Sequence, residues 1–393
     1  MSGIFINADR SGKSDDPRVD IAVAGKFHAY YLASEFGKLS RLRDLYSVHR
    51  TISPPNSVSH RAFHNRLDLA AWGALSRYTS LGYTNERKFE IFDQWLLGEL
   101  RSKSPGILHS WNGGSLNTFK ALKGSGWRLC LERSCPHNQF QYDLLVEEGK
   151  TLGIPHAQNM RALERAIEEL QLADVIVTPS SYSAASYKDP DLIRKVRVNS
   201  LGGNIKYQER PKKQPGFRVL MVGNNFLRKG IHYLVEAFRL IRDPMAELWI
   251  RGDVPDVYRS RIKDARVTII PAVLPSKLRE LYLAADVFVQ PSIDEGFGMT
   301  VLEALGFGLP VVITENVGSK DLLSPDVAFT VPIRDPRALA DAIESARLVP
   351  GPSFDLARKA IIEMNTWAAC ARRMLDRVYA DHGGNDGPRP AAA

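Results

Sequence analysis

The sequence predicts an α/β protein of two doubly wound domains, and three observations carry that expectation. Short apolar runs alternate with amphipathic helical runs along most of the chain, as parallel strands covered by helices on both faces require. The 393 residues exceed what a single hydrophobic core usually organises. A Gly/Pro-rich, basic stretch from Gly202 to Gly216 interrupts the alternation and reads as a solvated connector. The expected division is residues 1–203, residues 204–366, a terminal helix over 367–380 and a disordered tail over 381–393.

The elements follow in order. Val19 to Ala24 (VDIAVA) reads as a buried strand running into Gly25 and a helix around His28 to Leu39, the opening of a βαβ unit. Further strands are expected over Ile107–Ser110, Trp127–Glu132 and Asp174–Thr178. Between them, Arg161 to Ala173 carries Leu163, Ile167 and Leu170 at helical spacing, with Glu and Arg on the other face. Beyond the connector, strands are expected over Phe217–Val222, Glu247–Arg251, Val267–Ile270, Asp286–Gln290 and Pro310–Ile313. No apolar run approaches the ~20 residues of a membrane span.

Composition narrows the class. With 44% hydrophobic and 24% charged residues, the chain is neither disordered nor collagen-like. Its three cysteines, Cys130, Cys135 and Cys370, show no metal-like pairing, and the polar start lacks a secretory apolar block, so a cytoplasmic protein is expected. Lys and Arg number 52 against 44 Asp and Glu, an excess that permits anionic partners. Lys38, Arg41, Arg43, Arg50, Arg61 and Arg66 are set against Asp44 alone within residues 38–66, beside His49, His60 and His64. That stretch reads as a solvated basic face, with peripheral contact to an anionic membrane as the alternative. Without interleaved aromatics or a reader motif, nucleic acid is not an expected partner.

Two segments of the second half carry the chemistry. In Gln290 to Ser319, a strand ends and a turn, Glu295-Gly296-Phe297-Gly298, precedes a helix beginning near Thr300. Gly296 and Gly298 let the backbone approach a ligand, and helix-start N–H groups favour anions or hydroxyl oxygens. Glu295 and Glu303 could each accept paired hydrogen bonds from sugar hydroxyls, although Thr300 to Glu303 also reads as a capping box. In Gly223 to Gly230, Arg228 and Lys229 precede a helix whose Ile231, Leu234, Val235, Phe238 and Ile241 share one face. Two cations at a helix start oppose its dipole, and a bound diphosphate would resolve the conflict; a solvated charge pair is the bland alternative. In the first half, His109 ends a strand, and Arg133 and His137 follow the next one, where doubly wound sheets bind ligands. Gly25 holds the equivalent turn of the first βα unit and is a weak nucleotide signal alone.

Together these segments resemble the retaining glycosyltransferases of family 4, which have the GT-B fold of two Rossmann-like domains. The likeness rests on Glu295-x7-Glu303 set between Pro291-Ser292 and Gly308-x-Pro310-Val311-Val312, with Gly318 beyond, and on Arg228-Lys229-Gly230. Gly202-Gly203-Asn204 stands where members carry an N-G-x-D, and Trp367 to Ala380 is similar to the terminal helix that crosses back. The resemblance implies a metal-independent enzyme with no cofactor, taking a nucleotide diphosphate sugar as donor and a carbohydrate or lipid-linked acceptor. It implies that Glu295 contacts the transferred sugar and that Gly296, Phe297, Gly298 and Met299 line the same pocket. Glu303 would hold the ribose, and Lys229 with Arg228 the diphosphate, beside Gly223 and Asn224. His109 or His137 would be the active-site histidine, with Gly25 and Arg133 on the acceptor side. Trp111 stands where members carry a second histidine, and Asn224 where they often carry a basic residue. Two other classes remain open: a non-catalytic nucleotide-sugar-binding protein and an NDP-sugar epimerase of similar fold.

Overall fold

The computed structural model describes residues 18–25, 28–48, 60–62, 85–154, 156, 158–209, 216–349 and 351–380. The tail expected over 381–393 and several basic residues of the 38–66 stretch (His49, Arg50, His64, Arg66) lie outside them.

Two parallel sheets organise the chain. The first has seven strands in the order β3-β2-β1-β4-β5-β6-β7, where β1 is Val19–Val23, β2 Leu42–Ser47, β3 His60–Ala62, β4 Ile107–Trp111, β5 Arg128–Glu132, β6 Val175–Thr178 and β7 Val196–Val198. The second has six in the order β10-β9-β8-β11-β12-β13. Here β8 is Phe217–Val222, β9 Ala246–Arg251, β10 Val267–Ile270, β11 Val287–Gln290, β12 Val311–Thr314 and β13 Ala328–Val331. Strand order reverses between β1 and β4 in one sheet and between β8 and β11 in the other. Loops leaving the C-terminal ends of those strands open a crevice, so each domain has one inherent ligand position.

The central strands are buried throughout and mostly apolar: VDIAV in β1, VFVQ in β11 and VVIT in β12 show no exposed residue. Such strands can only be parallel and covered on both faces. Strands β2, β3, β7 and β13 were not marked by the sequence patterning. In β2, LRDLYS places charged residues between the apolar ones, so it does not read as a buried run.

The basic stretch is therefore not simply a solvated face. Arg43 Nε donates to the buried Asp20 at 2.8 Å, Arg61 pairs with Glu99 at 2.8 Å and Lys38 with Glu35 at 2.6 Å. Arg43 and Arg61 neutralise acids supplied by other elements, which sequence proximity does not show, whereas Lys38 pairs within its own helix.

The connector also differs from expectation where it begins. Leu201, Gly202 and Gly203 are buried, and the Gly203 N–H donates to Asn365 O at 2.8 Å. A Cβ on Gly202 would lie 2.4 Å from the Trp367 backbone nitrogen, so two chain segments pass in contact there. The helix Trp367–Arg373 then leads into one π-helical turn, Met374–Val378. Trp367 and Cys370 pack in the second domain's core, while Ala371, Met374, Val378 and Tyr379 pack in the first domain's. In the opposite direction the first domain's helix Asn138–Leu152 reaches the second, where Leu152 and Ile154 pack on its core. No helix among the described residues is long and apolar enough to cross a membrane.

Candidate active site

The second domain's switch point is built by the loops after β8 and β11. After β8 the chain passes Gly223 and Asn224, then folds back through Asn225, whose φ of 72° is left-handed. Asn225 Oδ1 accepts the Arg228 N–H at 3.2 Å and its carbonyl accepts the Lys229 N–H at 3.0 Å. This tight return lays the Lys229 stem across Gly223, where a Cβ would sit 2.8 Å from Lys229 Cε. Asn224 is exposed and accepts from Arg251 at 3.2 Å.

The loop after β11 meets it. Lys229 Nζ bonds the Glu295 carboxylate, Arg228 Nη1 lies 3.4 Å from the same oxygen, and Gln290 Nε2 donates to it at 3.2 Å. Thr300 Oγ1 donates to Gln290 Oε1 at 2.8 Å, which fixes that amide with its nitrogen toward Glu295. Burial pushes Glu295 up, but the charges of Lys229 and Arg228 outweigh it and hold the carboxyl below its ordinary value. Burial also draws Lys229 down against the pull of Glu295. With Lys229 only 6% exposed, the solvated charge pair allowed by the sequence is not what forms.

The helix Met299–Gly306 is capped by Gly298 at φ 94°, so it begins before Thr300. Thr300 is then helical, its hydroxyl is spent on Gln290, and Glu303 instead accepts from Tyr282 OH at 2.9 Å. The capping-box alternative does not form. Burial raises the Glu303 pKa despite that bond. Phe297 is buried and Met299 half-buried beside it.

The first domain supplies the opposite wall. Gly296 touches it so closely that a Cβ would stand 2.1 Å from Ser134 O. Arg133 holds Pro136 O at 2.9 Å and Gln141 Oε1 at 2.8 Å. His137 caps the Asn138–Leu152 helix, its Nδ1 accepting from the Gln139 N–H at 3.3 Å; burial and the neighbouring Arg133 lower its pKa. Gly25, half-buried, ends the turn after β1. His109 is wholly buried, with Nδ1 on Tyr379 OH at 2.7 Å and Nε2 facing Glu132 at 3.3 Å. Both ring nitrogens are engaged inside the protein, so His109 touches no part of the crevice.

Sequence reading missed the hub of this wall. Glu132 ends β5 and accepts from His28, from Trp111 Nε1 at 3.2 Å and from Ser134 Oγ at 3.0 Å, besides facing His109. Burial alone would raise its pKa; the two histidines overcome that and hold it far below the usual carboxylate range. His28, 14% exposed at the turn after β1, stacks on Trp367 at 5.2 Å and meets Trp111 edge-on at 5.6 Å. Gln290 was missed as well. Each is a polar residue closing or following an otherwise apolar strand, and that position was the available signal.

Two crevices facing each other at paired switch points, one lined by a buried cation pair, define the GT-B class of protein. Residues 216–347 match the family model described as Glycosyl transferases group 1. A D-inositol 3-phosphate glycosyltransferase of Pseudarthrobacter chlorophenolicus is 31% identical over 182 residues, 42% of this chain. The aligned region spans 43% of that relative's length. Sucrose-phosphate synthase of Thermosynechococcus elongatus has the same fold, with a TM-score of 0.67 at 19% identity over 91% of this chain and 97% of its own. Anabaena HepE, solved in complex with UDP-glucose, superposes with a TM-score of 0.61 at 15% identity, again over 91% and 97%.

Proposed function

We propose that this protein is a retaining glycosyltransferase that moves a sugar from a nucleotide diphosphate sugar to an acceptor hydroxyl in the cleft. The observation that carries the reading is the pair of buried Lys229 and half-buried Arg228, held against Glu295 at the second domain's switch point. Buried cations at a helix start are costly unless an anion meets them, and a diphosphate supplies more charge than one carboxylate. HepE, of the same fold, was solved with such a donor.

In this reading Lys229 and Arg228 neutralise the diphosphate and stabilise its departure, and Glu303 takes the ribose hydroxyls. Glu295 orients the sugar. The acceptor hydroxyl attacks from the side the diphosphate leaves, gives its proton to the leaving phosphate oxygen, and the anomeric configuration is kept. With two cations carrying the charge, the reading needs neither metal nor cofactor. The acceptor is a glycan, glycolipid or small hydroxyl compound bound against the first domain. The reaction is placed in the cytoplasm, where all three cysteines, free in this structure, would remain reduced.

A second reading, a nucleotide-sugar-binding protein without turnover, is favoured by the first domain. His109 is sealed off, and Trp111, where the family resemblance implies a second histidine, is spent on Glu132. One experiment separates the two. The protein is incubated with each common nucleotide sugar, with and without candidate acceptors and with EDTA, and release of nucleoside diphosphate is followed. Metal-insensitive release, with the product anomer matching the donor's by NMR coupling, is the expected result. Tight binding without release from any donor would establish the second reading instead.

A further inference from the structure

The tripeptide Asp294-Glu295-Gly296 is shared between the domains. Glu295 forms an isolated bridge with Val317, so the backbone is extended there and successive residues face opposite sides. Glu295 turns to the second domain's cations. Its neighbours turn to the first domain: Gly296 O accepts from Ser180 Oγ at 2.7 Å and Ser183 Oγ at 3.3 Å. Asp294, with no exposed surface, receives Tyr182 OH at 2.9 Å on one oxygen and Gln141 Nε2 on the other.

The donors are fixed from behind. Arg133 occupies Gln141 Oε1, which leaves that amide only its nitrogen to present to Asp294. Two donors converge on one residue, one on each oxygen, and a carboxylate accepts both; an asparagine turns an N–H toward one of them, which either faces the Gln141 amide donor or forces the Tyr182 hydroxyl to reverse and accept. The same backbone is tied to the diphosphate loop, since the Ile293 N–H donates to Arg228 O at 2.9 Å. Resting on the transferase reading above, we infer that Asp294 is a positioning residue. Through the chain Arg133–Gln141–Asp294–Tyr182 the first domain sets the backbone that aims Glu295, so the sugar-orienting carboxylate is in register only when the two domains are engaged.

The test compares Asp294→Asn, Tyr182→Phe and the double variant with the wild type. Transfer kcat should fall about 10- to 100-fold in each single variant, the cost of a misaimed reacting group, while nucleoside diphosphate affinity stays unchanged. The double variant should lose no more than Asp294→Asn alone, because the Tyr182 hydroxyl acts through Asp294. Hydrogen exchange over residues 290–299 should quicken in both single variants at an unchanged melting temperature. Unaltered kcat, parallel losses of kcat and affinity, or additive losses would overturn the inference. Unaltered exchange in both variants would overturn it too, without any need for turnover. A wild type that turns over no donor would sink the transferase reading, and the exchange measurement would still decide the strut.

Discussion

In the proposed reading Glu295 holds the two cations that a diphosphate would bind. Its carboxylate bonds Lys229 and lies 3.4 Å from Arg228, so an incoming diphosphate must displace it. Glu295→Gln keeps the shape and removes the charge. A charge-assisted bond of this kind contributes about 1.5–3 kcal/mol, and a neutral amide still accepting from Lys229 recovers part of that. Nucleoside diphosphate should therefore bind about 5- to 30-fold tighter to the variant, equivalent to about 1–2 kcal/mol, while transfer is lost. The ligand-free variant should also be less stable by about 2–4 kcal/mol, because two cations lose their counter-ion. That is less than a fully buried pair would lose, since the Arg228 side chain is 21% exposed. Calorimetric titration with nucleoside diphosphate, beside the phosphate-free nucleoside as control, and thermal melts with and without ligand check both figures. Equal or weaker diphosphate binding would refute the reasoning, and so would equal gains for the phosphate-free nucleoside.

Lys229→Ala should weaken nucleoside diphosphate binding by about 2–3 kcal/mol in the same titration, the loss of a buried charge-assisted bond. Gly296→Ala places a methyl group where Ser134 O lies 2.1 Å away, so turnover should collapse while far-UV circular dichroism of both domains persists. Glu132 has a depressed pKa, so its contribution to stability is present above the unfolded carboxyl value near pH 4.5 and is lost as pH falls toward the folded one. Glu132→Gln should flatten that acid limb in pH-dependent denaturation. Glu169 behaves oppositely: burial pushes it up to about 7, although it accepts the Ser115 N–H at 2.8 Å. Stability should decline as pH rises from about 4.5 to about 7, by at most about 1.4 kcal/mol per pH unit, and Glu169→Gln should remove that slope.

Sequence patterning carried the two sheets because their central strands are apolar runs of fixed length, and such runs are local. It missed β2 because Arg43 and Asp44 interrupt the pattern, and their partners Asp20 and Lys103 are remote in sequence. The donor-side loops were legible for a similar reason. Gly223, Gly230, Gly296 and Gly298 each stand where backbone or a lysine stem passes too closely for a Cβ, or where φ is positive, and such demands leave glycine at fixed spacing. His109, expected to end a strand, lies in the middle of β4 (Ile107–Trp111), and its burial depends on Tyr379, 270 residues away. No local pattern announces that contact. The same holds for Asp294, whose partners Gln141 and Tyr182 come from the other domain.

The two walls handle buried charge in opposite ways, and the difference bears on which one reacts. Glu132 is surrounded by His28, His109, Trp111 and Ser134, all donors with no competing anion site, so its charge is permanently satisfied and the network holds the first domain's loops rigid. Across the cleft, Arg228 and Lys229 share the Glu295 carboxylate, and the Asp294 carboxylate beside them is already taken by Tyr182 and Gln141. In the proposed reading a diphosphate would take both cations, and Glu295 would be left as a charged acceptor with Gln290 as its remaining donor. A carboxylate so released needs hydroxyl groups, and a sugar attached to the diphosphate presents them at that point. Binding of the phosphates and capture of the sugar are then one event, which a nucleoside diphosphate alone cannot complete.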